Sequence, residues 1–137
     1  MGDPLRLYGL NAVVLGAAGG IGEATARTLI KHGATVIAAD TRNSGVERHF
    51  AAVKGITGLS ANLTDADEMP ALIDAAADQL GGIDILVNEF PITFGEPLGS
   101  DQAKLDRLLQ SRAALTLSIC RAALPHLKRS PAGRIIN

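Results

Sequence analysis

The residues best suited to do chemistry in this chain are three glycines and one aspartate. Gly16, Gly20 and Gly22 lie in the run Gly16-Ala17-Ala18-Gly19-Gly20-Ile21-Gly22, and Asp40 follows eighteen residues after Gly22. A tight strand-to-helix turn needs backbone angles that side chains forbid, which suits Gly16. Bare positions at Gly20 and Gly22 let a diphosphate approach the free N–H groups that open a helix, where the helix dipole adds attraction. A carboxylate about twenty residues further on accepts hydrogen bonds from an adenosine ribose. The pattern therefore reads as dinucleotide recognition. Asp40 would repel a 2′-phosphate, which favours NAD over NADP. Arg42 pulls the other way, because a guanidinium can pair with that phosphate.

The elements that must position these groups are legible around them. Ala12-Val13-Val14-Leu15 is a fully apolar run, as expected of a strand buried on both faces of a parallel sheet. Ile21, Ala24, Leu29 and Ile30 give the following helix an apolar face, and Gly33 stops it. Thr35–Ala39 is a second strand ending at Asp40. Asn43–Ala52 reads as a short helix capped by Asn43 or Ser44. Ile56–Ala61 and Ile83–Val87 read as further strands, with a helix between them that starts near Thr64–Asp67. Pro91–Ser100 reads as a loop. A long helix is expected from Gln102 to Leu127, with Leu105, Leu108, Leu109, Ala113, Leu117 and Cys120 as inward candidates and Pro125 loosening its last turn. Gly133–Asn137 begins a fifth strand, and Leu5, Leu7 or Tyr8 packs against the first. Alternating strands and helices imply an α/β, doubly wound parallel sheet of about five strands. Ligands of such sheets sit beyond the carboxyl ends of the strands, where Gly16–Gly22, Asp40, Asn62 and Asn88 all fall.

Composition narrows the alternatives. The 137 residues are expected to form a single domain, 47% hydrophobic and 20% charged, with a net charge of −1. That balance points to neither nucleic acid nor an anionic membrane as partner. One cysteine, Cys120, fits a reducing cytosol, and no secretory leader or membrane-spanning run is apparent, so a cytoplasmic location is expected. His32, His49 and His126 are scattered, without metal-ligand spacing.

The glycine spacing, G-x-x-x-G-x-G, resembles that of the short-chain dehydrogenase/reductase family. The likeness covers essentially the whole chain, as the first half of a family member with a Rossmann-like fold. The resemblance implies that Gly16, Ala18, Gly19, Gly20, Ile21 and Gly22 hold the diphosphate. It also implies that Asp40 and Thr41 meet the ribose, Asn62 and Leu63 the adenine, and Asn88 the nicotinamide-side ribose. Three departures qualify it. The family's Asn-Asn-Ala-Gly becomes Asn88-Glu89-Phe90-Pro91, read as a tolerated variation with a shifted loop. Arg112 stands where a family asparagine holds a relay water, and is read as a solvated group. No serine–Tyr-x-x-x-Lys set is present, since the single tyrosine, Tyr8, has Ala12 four residues on.

The expected function is thus the cofactor-binding portion of an NAD-dependent short-chain oxidoreductase, inactive alone, whose parent moves a hydride between nicotinamide and a carbonyl or alcohol substrate. Its expected partners are the dinucleotide, that substrate and a second copy of the chain. The alternative is a non-catalytic nucleotide-binding or assembly module of the same descent, and a further one is a dinucleotide-dependent epimerase or dehydratase.

Overall fold

A computed structural model describes residues 6–65, 67–89 and 101–137. Strands β1 (Asn11–Leu15), β2 (Thr35–Thr41), β3 (Ile56–Ala61), β4 (Ile85–Asn88) and β5 (Arg134–Ile136) form one sheet. Its order is β3-β2-β1-β4-β5 and every pairing is parallel. Between the strands run helices α1 (Gly20–Lys31), α2 (Val46–Phe50), α3 (Glu68–Leu80) and α4 (Gln102–Arg129). The strand order reverses between β1 and β4, where Leu15 stands level with Asn88. This is the expected α/β fold, Rossmann-like and doubly wound, and its switch point lies where the glycine turn begins.

Period-two alternation explains the two cores. Val13 and Leu15 of β1 point towards α3 and α4, and pack with Ile37, Leu86, Ile73 and Ile119. Ala12 and Val14 point the other way, towards Ala26 of α1 and Val46 and Phe50 of α2. A central strand covered on both faces must be apolar at every position, as β1 is.

Several elements depart from expectation for local reasons. Helix α2 starts late because Gly45 adopts a left-handed φ of 69°, while the Ser44 hydroxyl accepts the Val46 N–H at 3.2 Å. Strand β4 starts at Ile85, since the Asp84 carboxylate instead accepts the Asn11 N–H at 2.7 Å and the Ser130 hydroxyl. On α1, Ile21 and Ala24 lie outside the core and Ile21 is 71% exposed; Gly22 and Ala26 form the buried stripe. On α4 the buried stripe is Leu115, Ile119, Ala123 and Leu127. Leu109, Ala113 and Leu117 are exposed and Leu105, Leu108 and Cys120 only half-buried, so those inward assignments are corrected. The helix carries apolar residues on two faces, and only one of them meets the sheet. It also runs through Pro125 to Arg129, because the burial of Leu127 outweighs one missing N–H. Leu7 packs on the α1 side and Tyr8 stays exposed; Leu5 and the Pro91–Ser100 segment lie outside the described residues. Among the described residues no helix is long and apolar enough to cross a membrane.

Candidate functional site

The glycine run divides into two structural roles. Gly16 is buried with φ of 73°, and a Cβ there would run into the Glu89 carbonyl. Gly22 is buried too, and a Cβ there would strike the Gly16 carbonyl, so the helix start packs directly on the turn. These two glycines let backbone pass backbone. Gly19 and Gly20 face outward, and a Cβ on either would meet nothing within 4 Å. The bare cradle is therefore Gly19–Gly20, and Gly22, expected to admit a ligand, serves packing. Gly19 is the residue before α1 and supplies no side-chain cap. The first N–H groups of α1 thus have no acceptor inside the helix, as an approaching anion requires.

Asp40 ties the cradle to the sheet. Its Oδ2 accepts the Ala18 N–H at 2.7 Å and its Oδ1 the Thr41 N–H at 2.6 Å, while the Ala17 N–H donates to the Ala39 carbonyl. Each carboxylate oxygen can accept more than one hydrogen bond and here accepts one from this wall, which leaves capacity for further donors. The acid and the turn, distant in sequence, form one wall. Thr41 is exposed beside it.

At the far side of this wall, Glu68 organises a small network. Its Oε2 accepts from Arg42 at 2.8 Å and from the Asn62 N–H at 3.1 Å. Arg42, which could have paired with a 2′-phosphate, is engaged by a carboxylate. The Asn62 Oδ1, expected to face adenine, accepts the Thr64 N–H and hydroxyl in a local turn. Leu63 is 5% exposed and lies in the core, so little of its side chain is left for an adenine ring. Glu68 carries no clear signal in the sequence, because its partners come from the ends of two other strands. Only its place in the first turn of a helix hinted at a role.

Asn88 closes β4. It is 8% exposed, its Nδ2 donates to the Asn137 Oδ1 at 2.7 Å and lies 3.6 Å from the Cys120 sulfur, and its Oδ1 has no hydrogen-bond partner among the described residues. A buried acceptor without a donor is costly, and a ligand hydroxyl would satisfy it. Glu89 follows, and its N–H donates to the Leu15 carbonyl at 3.2 Å. Its Oε2 lies 2.9 Å from the place a Gly16 Cβ would take. Arg112 is half-buried on α4. The open glycine turn, the Asp40 carboxylate and the Asn88 oxygen all lie at the carboxyl ends of β1, β2 and β4, an arrangement that a dinucleotide would fit.

A separate cavity of about 530 Å³ lies at the opposite ends of the strands, lined by Asn11, Asp84, His126, Arg129 and Ser130 among others. Most of those polar groups bind one another: Asp84 holds Asn11 and Ser130, and His126 bridges Asp74 and Arg129. Among the described residues no cluster of three or more His, Cys, Asp or Glu side chains stands ready to hold a metal.

Comparison with known proteins agrees with this geometry. Residues 10–137 match the family model described as short chain dehydrogenase. The chain is 32% identical over 136 residues to a 3-oxoacyl-(acyl-carrier-protein) reductase of Vibrio cholerae, covering 97% of this chain and 55% of that protein. It is 38% identical over 134 residues to nodulation protein G of a Rhizobium species, at 96% and 55% coverage. It is 33% identical over 136 residues to a D-beta-hydroxybutyrate dehydrogenase of Rhizobium meliloti, at 92% and 52%. The chain spans about half the length of the curated relatives it matches. A glycine turn of this spacing, seated at the switch point of a parallel sheet and matched by the family model from residue 10 to residue 137, makes the chain a member of the short-chain dehydrogenase family.

Proposed function

We propose that this chain binds NAD for an oxidoreductase that moves a hydride between the nicotinamide and a carbonyl or alcohol substrate. The observation that carries the reading is the Asp40–Ala18 hydrogen bond, which sets a ribose acceptor beside an open diphosphate cradle. When bound, the dinucleotide supplies the hydride acceptor or donor. The chain's own residues bind and orient it: α1 N–H groups meet the diphosphate, Asp40 the adenosine ribose, and the Asn88 Oδ1 a hydroxyl at the other end. The names of the relatives, a reductase and a dehydrogenase among them, support this class. The 137 residues contain no Tyr-x-x-x-Lys pair, so this stretch holds the cofactor rather than the general acid.

NAD is preferred to NADP for two reasons. Asp40 repels a 2′-phosphate, and Arg42 is already paired with Glu68. Calorimetric titration of the purified chain tests this: NAD should bind at least about tenfold more tightly than NADP. The Glu68→Gln variant, which releases Arg42, should narrow that gap. Equal affinities in the wild type would overturn the preference.

A second reading, a nucleotide-binding module without catalysis, is favoured by the Glu89 carboxylate beside the turn. Reading the gene past the codon for Asn137 separates the two. A serine followed by Tyr-x-x-x-Lys supports the enzyme, and a continuation lacking them supports the module.

A further inference from the structure

The geometry points to Glu89 as the residue that sets how much negative charge this cradle tolerates, an inference that rests on the dinucleotide reading above. Glu89 is pinned by its backbone, since its N–H extends the β1–β4 ladder onto the Leu15 carbonyl and its own carbonyl lies against Gly16. Its carboxylate is consequently held over the glycine turn, with Oε2 2.9 Å from where a Gly16 Cβ would sit. Asp40 flanks the same turn from β2. An anion at the cradle therefore meets two carboxylates against a helix-end charge of about one half.

The turn itself supplies no cation of its own. Residues 16–26 contain no Lys or Arg. The first cation of α1, Arg27, is bound to Glu23 at 2.7 Å, and Arg42 to Glu68 at 2.8 Å. Asp40 has a positive role as acceptor for Ala18 and for a ribose. Glu89 adds charge at Gly16, the start of the turn that leads into the cradle. Its effect should scale with phosphate number: absent for adenosine, intermediate for AMP and largest for ADP. The occupant favoured is an adenine nucleotide of low net charge.

The experiment is calorimetry of adenosine, AMP and ADP on the wild-type chain and the isosteric Glu89→Gln variant, with Glu89→Ala as a second variant in case the first fails to fold. Removing one charge several ångströms from a phosphate should tighten ADP about three- to tenfold at low salt. That gain should shrink towards none at about 0.5 M salt, while adenosine changes less than about twofold. Unchanged ADP affinity, or an equal gain for adenosine and ADP, overturns the role given to Glu89 and leaves the dinucleotide reading standing. Failure of wild type and variants alike to bind any of the three overturns both. Binding of ADP by the variants alone supports the proposal in its strongest form.

Discussion

Four glycines of one short run do different work, and substitution separates them. At Gly16 an added Cβ is both strained, at φ of 73°, and overlapped by the Glu89 backbone. Gly16→Ala should destabilise the fold by about 2–4 kcal/mol, read as a lower urea midpoint. At Gly19 an added Cβ meets only open space. Gly19→Ala should cost less than about 1 kcal/mol of stability yet weaken NAD by at least about tenfold, because the methyl group occupies the cradle. Equal losses of stability in the two variants would refute this division. Asp40→Ala should show both effects. It strands the Ala18 N–H, costing about 1–3 kcal/mol, and removes the ribose acceptor, so melting temperature and nucleotide affinity fall together. At this scale the sequence marked out the glycine run and Asp40 by their types and spacing. The turn geometry decided that Gly22 serves packing while Gly19 stays open.

Elements are joined by contacts that a linear reading cannot supply. Strand β3 carries Gly58 because α2 lies on it: a Cβ there would come within 2.6 Å of the Glu47 Cα. Gly58→Ala should thus destabilise by about 1–3 kcal/mol despite the better strand propensity of alanine, as thermal unfolding would reveal. Two carboxylates bind α2 to its neighbours. Glu23 of α1 takes hydrogen bonds from Arg27 and from His49 of α2, which hold its carboxyl below the ordinary 4.5. Glu47 is likewise lowered from 4.5, chiefly by the hydrogen bond from Ser60 of β3. A carboxylate with a depressed folded value stabilises the native state fully above its unfolded value, and that stability is lost as pH falls through the folded one. Urea midpoints of the wild type should therefore drop below about pH 4.5. The Glu23→Gln/Glu47→Gln double variant should drop less steeply, and parallel acid limbs in the two proteins would exclude the link. Element types and most boundaries were legible from apolar runs and glycine stops. The two faces of α4 were not, because periodicity marks an apolar stripe without saying which stripe meets the sheet.

For the whole molecule, α4 leads to an expectation about assembly. Leu109, Leu117 and Leu124 are 52%, 54% and 42% exposed on α4. Apolar surface of this kind favours self-association. Light scattering of the chain at micromolar concentration should give a mass above the monomer, and Leu109→Glu/Leu117→Glu should lower it. A clean wild-type monomer would count against the interface. The sequence by itself determined the parallel α/β architecture, the glycine turn and its acid, because apolar periodicity, glycine stops and spacing are local signals. Only the tertiary structure decided that Arg42 is claimed by Glu68, that Leu63 belongs to the core, that the Asn88 oxygen is buried with no donor among the described residues and that Glu89 overhangs Gly16. Each of these depends on which strand ends lie side by side, and the crossing of β1 between β2 and β4 brings together residues far apart in the chain.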